Sequence, residues 1–269
     1  MTFYETLTAA VNDFVEHGFD SQERLERWMA AIDKAARASL VPEHIVQRQM
    51  TEAFRAAYRR LVEKGGVTQF HPGIPKFTLQ HVSQKLRAEL DRRILASANL
   101  IRLNRDQAIQ KTLQRFSGWS TSIPVGGTKT ADKIEEKDSI RKSLAQLPFE
   151  ERRVLIDQTY KLTSAINETV ATGGGAIAAK WFSHWRQAGY DYREDHKERD
   201  GQVYAIRGNW AMAKGLMKVG DAGYVDDVTK PGEEPFCRCA YRYVYNLRSL
   251  PDAMLTAKGR EELKKVRIA

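Results

Sequence analysis

The spacing of apolar residues along the chain changes within residues 170–182, VATGGGAIAAKWF. Upstream, apolar residues such as Leu162, Ile166 and Val170 recur at the spacing of an amphipathic helix. The three glycines at 173–175 predict the end of that helix, because glycine readily adopts the left-handed conformation that closes a helix C-terminus. The stretch therefore divides a helical part of the chain from a part with a different structure.

Downstream of the glycines the sequence predicts a small sheet. Tyr241, Tyr243 and Tyr245 alternate with other residues at period two, which is typical of a strand with an aromatic face. Residues 201–206 are a candidate for a second short strand, and glycines and prolines between the two indicate long loops. The predicted fold class is α+β, with an elongated and mostly helical N-terminal region followed by a small α+β module.

The predicted organisation has five parts. Apolar periodicity indicates helices over most of the N-terminal half, with 76–118 forming one long helix or two stacked end to end. Breaks are expected at Gly65-Gly66 and at 70–75, where prolines exclude a helix. A helix is also expected to resume near Asp138 and to be interrupted at Pro148. The predicted ranges are a helical region at 1–118, a linker or loop at 119–137, a helical connector at 138–175, the α+β module at 176–250 and a basic tail with a short helix at 251–269.

Composition excludes several classes of protein. The chain has 269 residues and a net charge of +9, with no apolar run near the roughly 20 residues that span a bilayer. Its first 20 residues contain four acidic residues and no lysine or arginine, the reverse of a secretory signal peptide. Two cysteines rule out a disulfide scaffold. The excess of positive charge favours a polyanion as a neighbour.

The positive charge is concentrated in residues 76–118, which hold nine basic and three acidic residues. One interpretation is a basic helix face beside nucleic acid or an acidic protein ring, and the other is a solvated helix face with flexible charges. The candidate nucleic-acid contacts are Lys85, Arg92, Arg93, Arg102, Arg105 and Lys111.

Two cysteines and two histidines suggest a metal site. Cys237 and Cys239 are one residue apart, so on a strand their side chains point to the same face. With His184 and His196 they would supply four ligands of the kind that zinc prefers, although zinc sites usually leave two to four residues between cysteines. The alternative is that the thiols are small buried side chains that anchor a loop.

His196 and Asp200 are four residues apart, so on a helix they would share a face and could form a hydrogen bond. One interpretation is a structural clasp that ends at Gly201. The rival makes His196 a general base, with Arg193 and Lys180 holding a phosphate, for cleavage of RNA without a metal. The tryptophans at 181 and 185 are expected in the core.

The order of these motifs resembles a known family. A Lys-Trp start, then Arg-x-x-His-x-x-x-Asp-Gly-x-Val-Tyr, Pro-Gly-Glu and Cys-Arg-Cys-x-Tyr, is similar to the phage Mu protein F-like head-morphogenesis, or minor capsid, family. The similarity covers about residues 180–245. The residues that form this module signature are Trp181, Arg193, His196, Asp200, Gly201, Pro231, Gly232, Cys237, Arg238 and Cys239.

The resemblance implies a structural protein of the virion rather than an enzyme. It would be a minor head protein of the capsid interior or portal vertex, assembled in the host cytoplasm and acting in head morphogenesis, DNA packaging or DNA ejection. The implied partners are the portal or major capsid protein and packaged DNA, bound without sequence preference, with several copies per assembly and no membrane before any ejection step. The rivals are a metal-independent nuclease-like enzyme on the same module and a general nucleic-acid-binding protein.

Overall fold

The computed structural model describes residues 1–60 and 76–268. The expected breaks at Gly65-Gly66 and 70–75 lie outside these residues. The structure is 64% helical with a three-stranded antiparallel sheet, which confirms the predicted α+β class. Among the described residues, no helix combines the length and the apolar composition needed to cross a bilayer.

Long helices form the part of the chain that precedes the sheet. Their bounds are α1 Phe3–His17, α2 Gln22–Ser39, α3 Glu43–Tyr58, α4 Lys76–Thr121 and α5 Lys133–Gly173. Side chains at the helix starts explain two of these bounds. Thr2 and Glu5 form a capping box at α1, and the Ser21 hydroxyl accepts a hydrogen bond from the backbone N–H of Arg24 at the start of α2.

The sheet contains β1 Ala178–Phe182, β2 Val203–Ala205 and β3 Ala240–Val244. Its order is β2-β1-β3 with both pairings antiparallel, so the first strand in sequence lies in the centre. Two short helices lie in the connections, α6 Glu194–Glu198 and α7 Trp210–Ala213, and α8 Ala257–Ile268 follows the sheet. The strands predicted within 201–206 and at 241–245 are confirmed to within one or two residues.

The chain forms two compact units. The first comprises residues 1–50 and 95–155, and the second comprises residues 51–94 and 156–269. The core of the first unit is built by α1 and α2 with the later parts of α4 and the start of α5. Its fully buried aromatic pair, Phe14 and Phe116, meets edge to face with ring centroids 5.6 Å apart.

The predicted linker at 119–137 is shorter in the structure and is fastened to α1. Helix α4 continues to Thr121 and α5 begins at Lys133, and both Ser120 and Ile123 at this junction are buried. Gly127 lies at φ +82°, and a Cβ there would lie 2.3 Å from the backbone oxygen of Val15. The glycine therefore permits a close approach to the end of α1.

Pro148 does not interrupt the helix, which corrects the expected break. Helix α5 runs through it from Lys133 to Gly173. A proline inside a helix removes one backbone hydrogen bond and costs about 3 kcal/mol. The buried side chains of Ile140 and Leu147, on the N-terminal side of the proline, keep the helix packed up to that point.

In the second unit, β1 contributes to two separate cores. Ala178 packs with Val244 and with the segment that leads to α8, while Ala179 and Trp181 point to the other face. That second face holds Trp181, Tyr204 and both cysteines. The candidate site lies on this face of the central strand.

Candidate metal centre

Three of the four predicted metal ligands meet in the interior of the second unit. The sulfur atoms of Cys237 and Cys239 lie 3.6 and 3.5 Å from Nδ1 of His196. The residues are 2%, 1% and 1% exposed, and both cysteines are free. The three ligand atoms all lie within 4.8 Å of one another, so this cluster can hold a metal ion.

The backbone explains how these residues meet. Helix α6 is a single short turn that points the His196 ring at Trp181, with ring centroids 5.2 Å apart. On the opposite side, a turn closed by the Cys237 N–H on the carbonyl oxygen of Glu234 brings in the thiols. Phe236 in this turn has φ +58°, a left-handed conformation that is uncommon for a bulky residue.

The two thiols have different environments. A hydrogen bond with Cys239 lowers the pKa of the Cys237 thiol to about 5, despite burial, and the N–H of Gly232 supports the thiolate at 3.4 Å. The same hydrogen bond raises the pKa of Cys239. Backbone N–H donors aimed at sulfur stabilise thiolate, which is the form that binds metal.

The second ring nitrogen of His196 faces a carboxylate. Nε2 lies 3.6 Å from Oε2 of Glu234 and is buried without a hydrogen-bond partner among the described residues. The guanidinium of Arg193 forms an ion pair with the same oxygen at 2.5 Å and donates to the carbonyl oxygen of Pro235. A carboxylate behind a histidine fixes the tautomer that leaves the other nitrogen free to bind metal. Sequence reasoning missed Glu234.

His184, the fourth predicted ligand, is not part of the cluster, and this is a correction. Its side chain is exposed, and it reaches the site only through its backbone N–H, which faces the sulfur of Cys239. The chain turns away after β1, so the ring leaves the interior while the backbone stays beside the thiol. The Ser183 hydroxyl also faces Cys239.

The predicted hydrogen bond between His196 and Asp200 is wrong. Helix α6 ends at Glu198, so the two residues do not share a helix face. Asp200 instead accepts hydrogen bonds from the backbone N–H of Ser183 at 2.9 Å and from Nε1 of Trp185 at 3.1 Å. These bonds, the backbone one first, hold the pKa of the Asp200 carboxyl below its ordinary value. Gly201 does adopt positive φ, at +82°.

The loop that carries both cysteines, residues 230–239, is here called the cysteine loop. Hydrogen bonds that sequence reasoning missed attach it to α5. The carboxylate of Asp157 accepts the N–H of Phe236 at 2.6 Å, and the Tyr160 hydroxyl donates to the carbonyl oxygen of Arg238 at 2.7 Å. Both contacts are made to backbone groups of the loop, so the side chains of the loop do not predict them. They flank Cys237 on either side.

Two more contacts fix the start of the loop. The Ser164 hydroxyl donates to the carbonyl oxygen of Pro231 at 2.7 Å, and Lys230 forms an ion pair with Glu168 at 2.5 Å. Gly232 lies at φ +85°, and a Cβ there would come within 3.2 Å of Ser164. The Pro-Gly pair of the signature is therefore the place where the loop passes closely over α5.

Of the residues of the nuclease rival, Arg193 and His196 meet at the carboxylate of Glu234, whereas Lys180 lies apart from them. His196 is buried against the thiols, and Arg193 is engaged by Glu234. Lys180 is on β1 next to Trp181, and successive strand residues point to opposite faces of a sheet. Lys180 therefore lies on the face away from His196. Trp181 is fully buried as predicted, whereas Trp185 is half-buried.

The basic residues of α4 are only partly available to a polyanion. Arg92 and Arg93 both form ion pairs with Glu89 at 2.7 Å. Lys85 and Lys111 are exposed. The solvated-face interpretation therefore accounts for part of the charge.

Arg105 contradicts its predicted place on a basic face. It is 8% exposed and donates to Glu151 at 2.6 Å and to the carbonyl oxygen of Val41 at 2.7 Å. The guanidinium of Arg105 is therefore engaged inside the first unit and is not available on a basic surface. Arg102, three residues before it, is exposed and donates to Asn99.

Comparison of the chain with protein-family models, with curated proteins and with solved structures finds no match.

Proposed function

We propose that this chain is a minor structural protein of a phage head, located in the capsid interior or at the portal vertex, and that zinc stabilises its C-terminal module. One observation carries the proposal. The residues that resemble the Mu protein F-like family converge on a buried ligand cluster and on the contacts that support it. The residues of the module signature therefore serve its architecture.

Each part of the signature has a structural task. His196, Cys237 and Cys239 are the ligands, and Arg193 holds the carboxylate behind the histidine. The other members pack or fasten the chain around them: Trp181, Asp200, Gly201, Pro231, Gly232 and Arg238. A substrate would need an open cleft beside the reactive groups, and these groups are enclosed.

Zinc fits the ligand set by distance and chemistry. Zinc–sulfur and zinc–nitrogen bonds of about 2.3 and 2.0 Å in tetrahedral geometry separate a sulfur and a nitrogen ligand by about 3.5 Å. The separations from His196 Nδ1 are 3.6 and 3.5 Å before any ion is placed. One position is left for an oxygen donor such as the Ser183 hydroxyl. Zinc in a closed thiolate site cross-links its ligands and contributes directly to folding free energy.

The head-protein proposal is tested on particles. Quantitative mass spectrometry of purified virions and procapsids of the encoding phage or prophage is expected to find the chain in several copies, co-purifying with portal or capsid shells. Its absence from both kinds of particle would overturn the proposal. The purified chain is expected to leave RNA and DNA intact, and cleavage that disappears in His196→Ala would replace the proposal with the nuclease.

A further inference from the structure

Two cations face each other directly across the sheet. Lys180 on β1 pairs with Arg242 on β3, so their side chains rise from the same face at adjacent positions. Like charges directly opposite one another destabilise an antiparallel pair. In the part of the chain that the structure describes, neither cation lies within 4 Å of a carboxylate. Among the described residues, no ion pair offsets the repulsion between these two side chains.

Aromatic rings lie against these cations. The Arg242 guanidinium lies 4.6 Å and the Lys180 ammonium 5.8 Å from the centre of the Phe182 ring. A third cation, Arg186, lies 4.6 Å from the Trp185 ring in the turn that follows β1. The rings hold the long side chains in place without neutralising their charge.

One carboxylate lies close to this group, and it is already engaged. Asp200 accepts hydrogen bonds from Ser183 and Trp185, which shape the turn that carries Arg186. Both of its oxygens are used by N–H donors of the turn. Asp200 therefore interacts with Arg186 and Lys180 by charge while both of its oxygens are engaged elsewhere.

We propose that Lys180, Arg186 and Arg242, here called the cation trio, bind the phosphodiester backbone of double-stranded DNA. The inference rests on the proposed function, which places the chain beside packaged DNA, and it assigns the contact to the module instead of to α4. Phosphates relieve the repulsion between Lys180 and Arg242. Contacts to phosphate alone are independent of base sequence and sensitive to salt.

The position of the trio favours DNA over an acidic peptide. An extended peptide adds to a sheet through an unpaired strand edge, where the backbone offers hydrogen bonds. Lys180 lies on the central strand β1, both of whose edges are paired, and Arg242 lies on the edge strand β3, so a ligand that spans both side chains lies over the face of the sheet. A ligand on this face meets only side chains, which suits a phosphodiester backbone recognised by lysine and arginine.

The test compares two double variants of the full chain. The first is Lys180→Gln with Arg242→Gln, and the matched control is Lys85→Gln with Lys111→Gln, which removes two exposed cations of α4. Fluorescence anisotropy on a random-sequence duplex is measured from low to moderate salt. Each lost phosphate contact lowers the slope of log affinity against log salt by about 0.9, so the first variant is expected to lose about 1.8 and the control almost nothing.

Stability separates a binding role from a structural one. Removing two opposed like charges is expected to leave the melting temperature unchanged or raised, with zinc retained. An equal loss of slope in both variants, or no loss in the first, would overturn the proposal. So would binding of poly-glutamate with the same dependence on Lys180 and Arg242. A chain that is present in particles but binds no DNA would refute this inference alone, whereas absence from particles refutes the proposed function.

Discussion

The carboxylate of Asp157 accepts a hydrogen bond from the backbone N–H of Phe236 at 2.6 Å, and this bond joins a long helix to the loop that carries the cysteines. Phe236 has φ +58°. A left-handed residue costs roughly 1 kcal/mol, so it persists where other contacts fix it. The buried carboxylate thus helps to hold the backbone that presents Cys237.

Asp157→Ala is expected to destabilise the second unit by about 2 kcal/mol, because a hydrogen bond to a charged group is lost and Lys161 loses its ion-pair partner. Urea unfolding followed by tryptophan fluorescence measures the change. Asp138→Ala, at an exposed position of the same helix, is the control and is expected to change stability by less than about 0.5 kcal/mol. Equal effects of the two changes would contradict the assigned role.

Zinc content distinguishes the structural ligand set from the one predicted by sequence. Elemental analysis of purified protein is expected to give about one zinc per chain in the wild type and in His184→Ala, and almost none in Cys239→Ser. The reason is that the His184 side chain is exposed, whereas the Cys239 sulfur is buried against His196. Loss of zinc from the His184 variant would show that the His184 side chain is a ligand of the centre.

Glu234→Gln is expected to weaken zinc affinity about 10- to 100-fold, because the carboxylate behind His196 fixes the ring and raises its basicity. Competition with a chromophoric chelator measures the affinity. Glu198→Gln, exposed on the same helix as His196, serves as the control and is expected to retain wild-type affinity. If both variants bind alike, Glu234 has no part in the centre.

Acid is expected to weaken the turn that Asp200 holds. Its pKa is lowered in the folded chain, so its contribution is fully present above the ordinary value of 3.8 and is lost as pH falls through the folded value. Asp200→Asn is therefore expected to cost about 1 kcal/mol at pH 6 and progressively less as the pH falls below 3.8. Urea unfolding of both proteins at each pH gives the difference, and a difference that does not shrink in acid would exclude this cause.

Two glycine substitutions test the seating of the last helix. In Gly259→Ala the new methyl would lie 2.0 Å from the backbone oxygen of Leu216, so α8 must shift at a cost of about 1–3 kcal/mol. Gly118→Ala, in the last turn of α4 with open space around it, is expected to stabilise by up to about 0.5–1 kcal/mol. Thermal unfolding measures both, and a neutral Gly259 variant would show that α8 is not held against Leu216.

Local signals predicted most of the secondary structure. The end of α5 at the glycines and the alternation of Tyr241 and Tyr243 both depend on residues close in sequence. Pro148 was misjudged because the burial of residues before it, which is a tertiary effect, outweighs the local cost of a proline. Helix propensity alone cannot show whether the burial or the cost of the proline is larger.

The site was predictable by residue type and only partly by geometry. His196, Cys237 and Cys239 stand out in the sequence because histidine and cysteine are the residue types that zinc prefers. His184 was an equal candidate in sequence, and only the turn after β1 decides where its ring points. Glu234 and Asp157 carried no signal of their own, because acidic residues are common and their roles depend on chain segments about 40 to 80 residues away.

The strand order has a consequence for synthesis on the ribosome. Strand β1 is central, yet its partner β3 and both cysteines lie some 60 residues further along the chain. Helices α1 and α2 can pair as soon as they emerge, since their contacts are local, whereas the sheet and the ligand cluster wait for a long loop to close. A ribosome that stops before Cys237 would release a chain with folded helices and a bare, unpaired side of β1. Premature termination in this region would therefore produce an aggregation-prone product rather than a shortened working one.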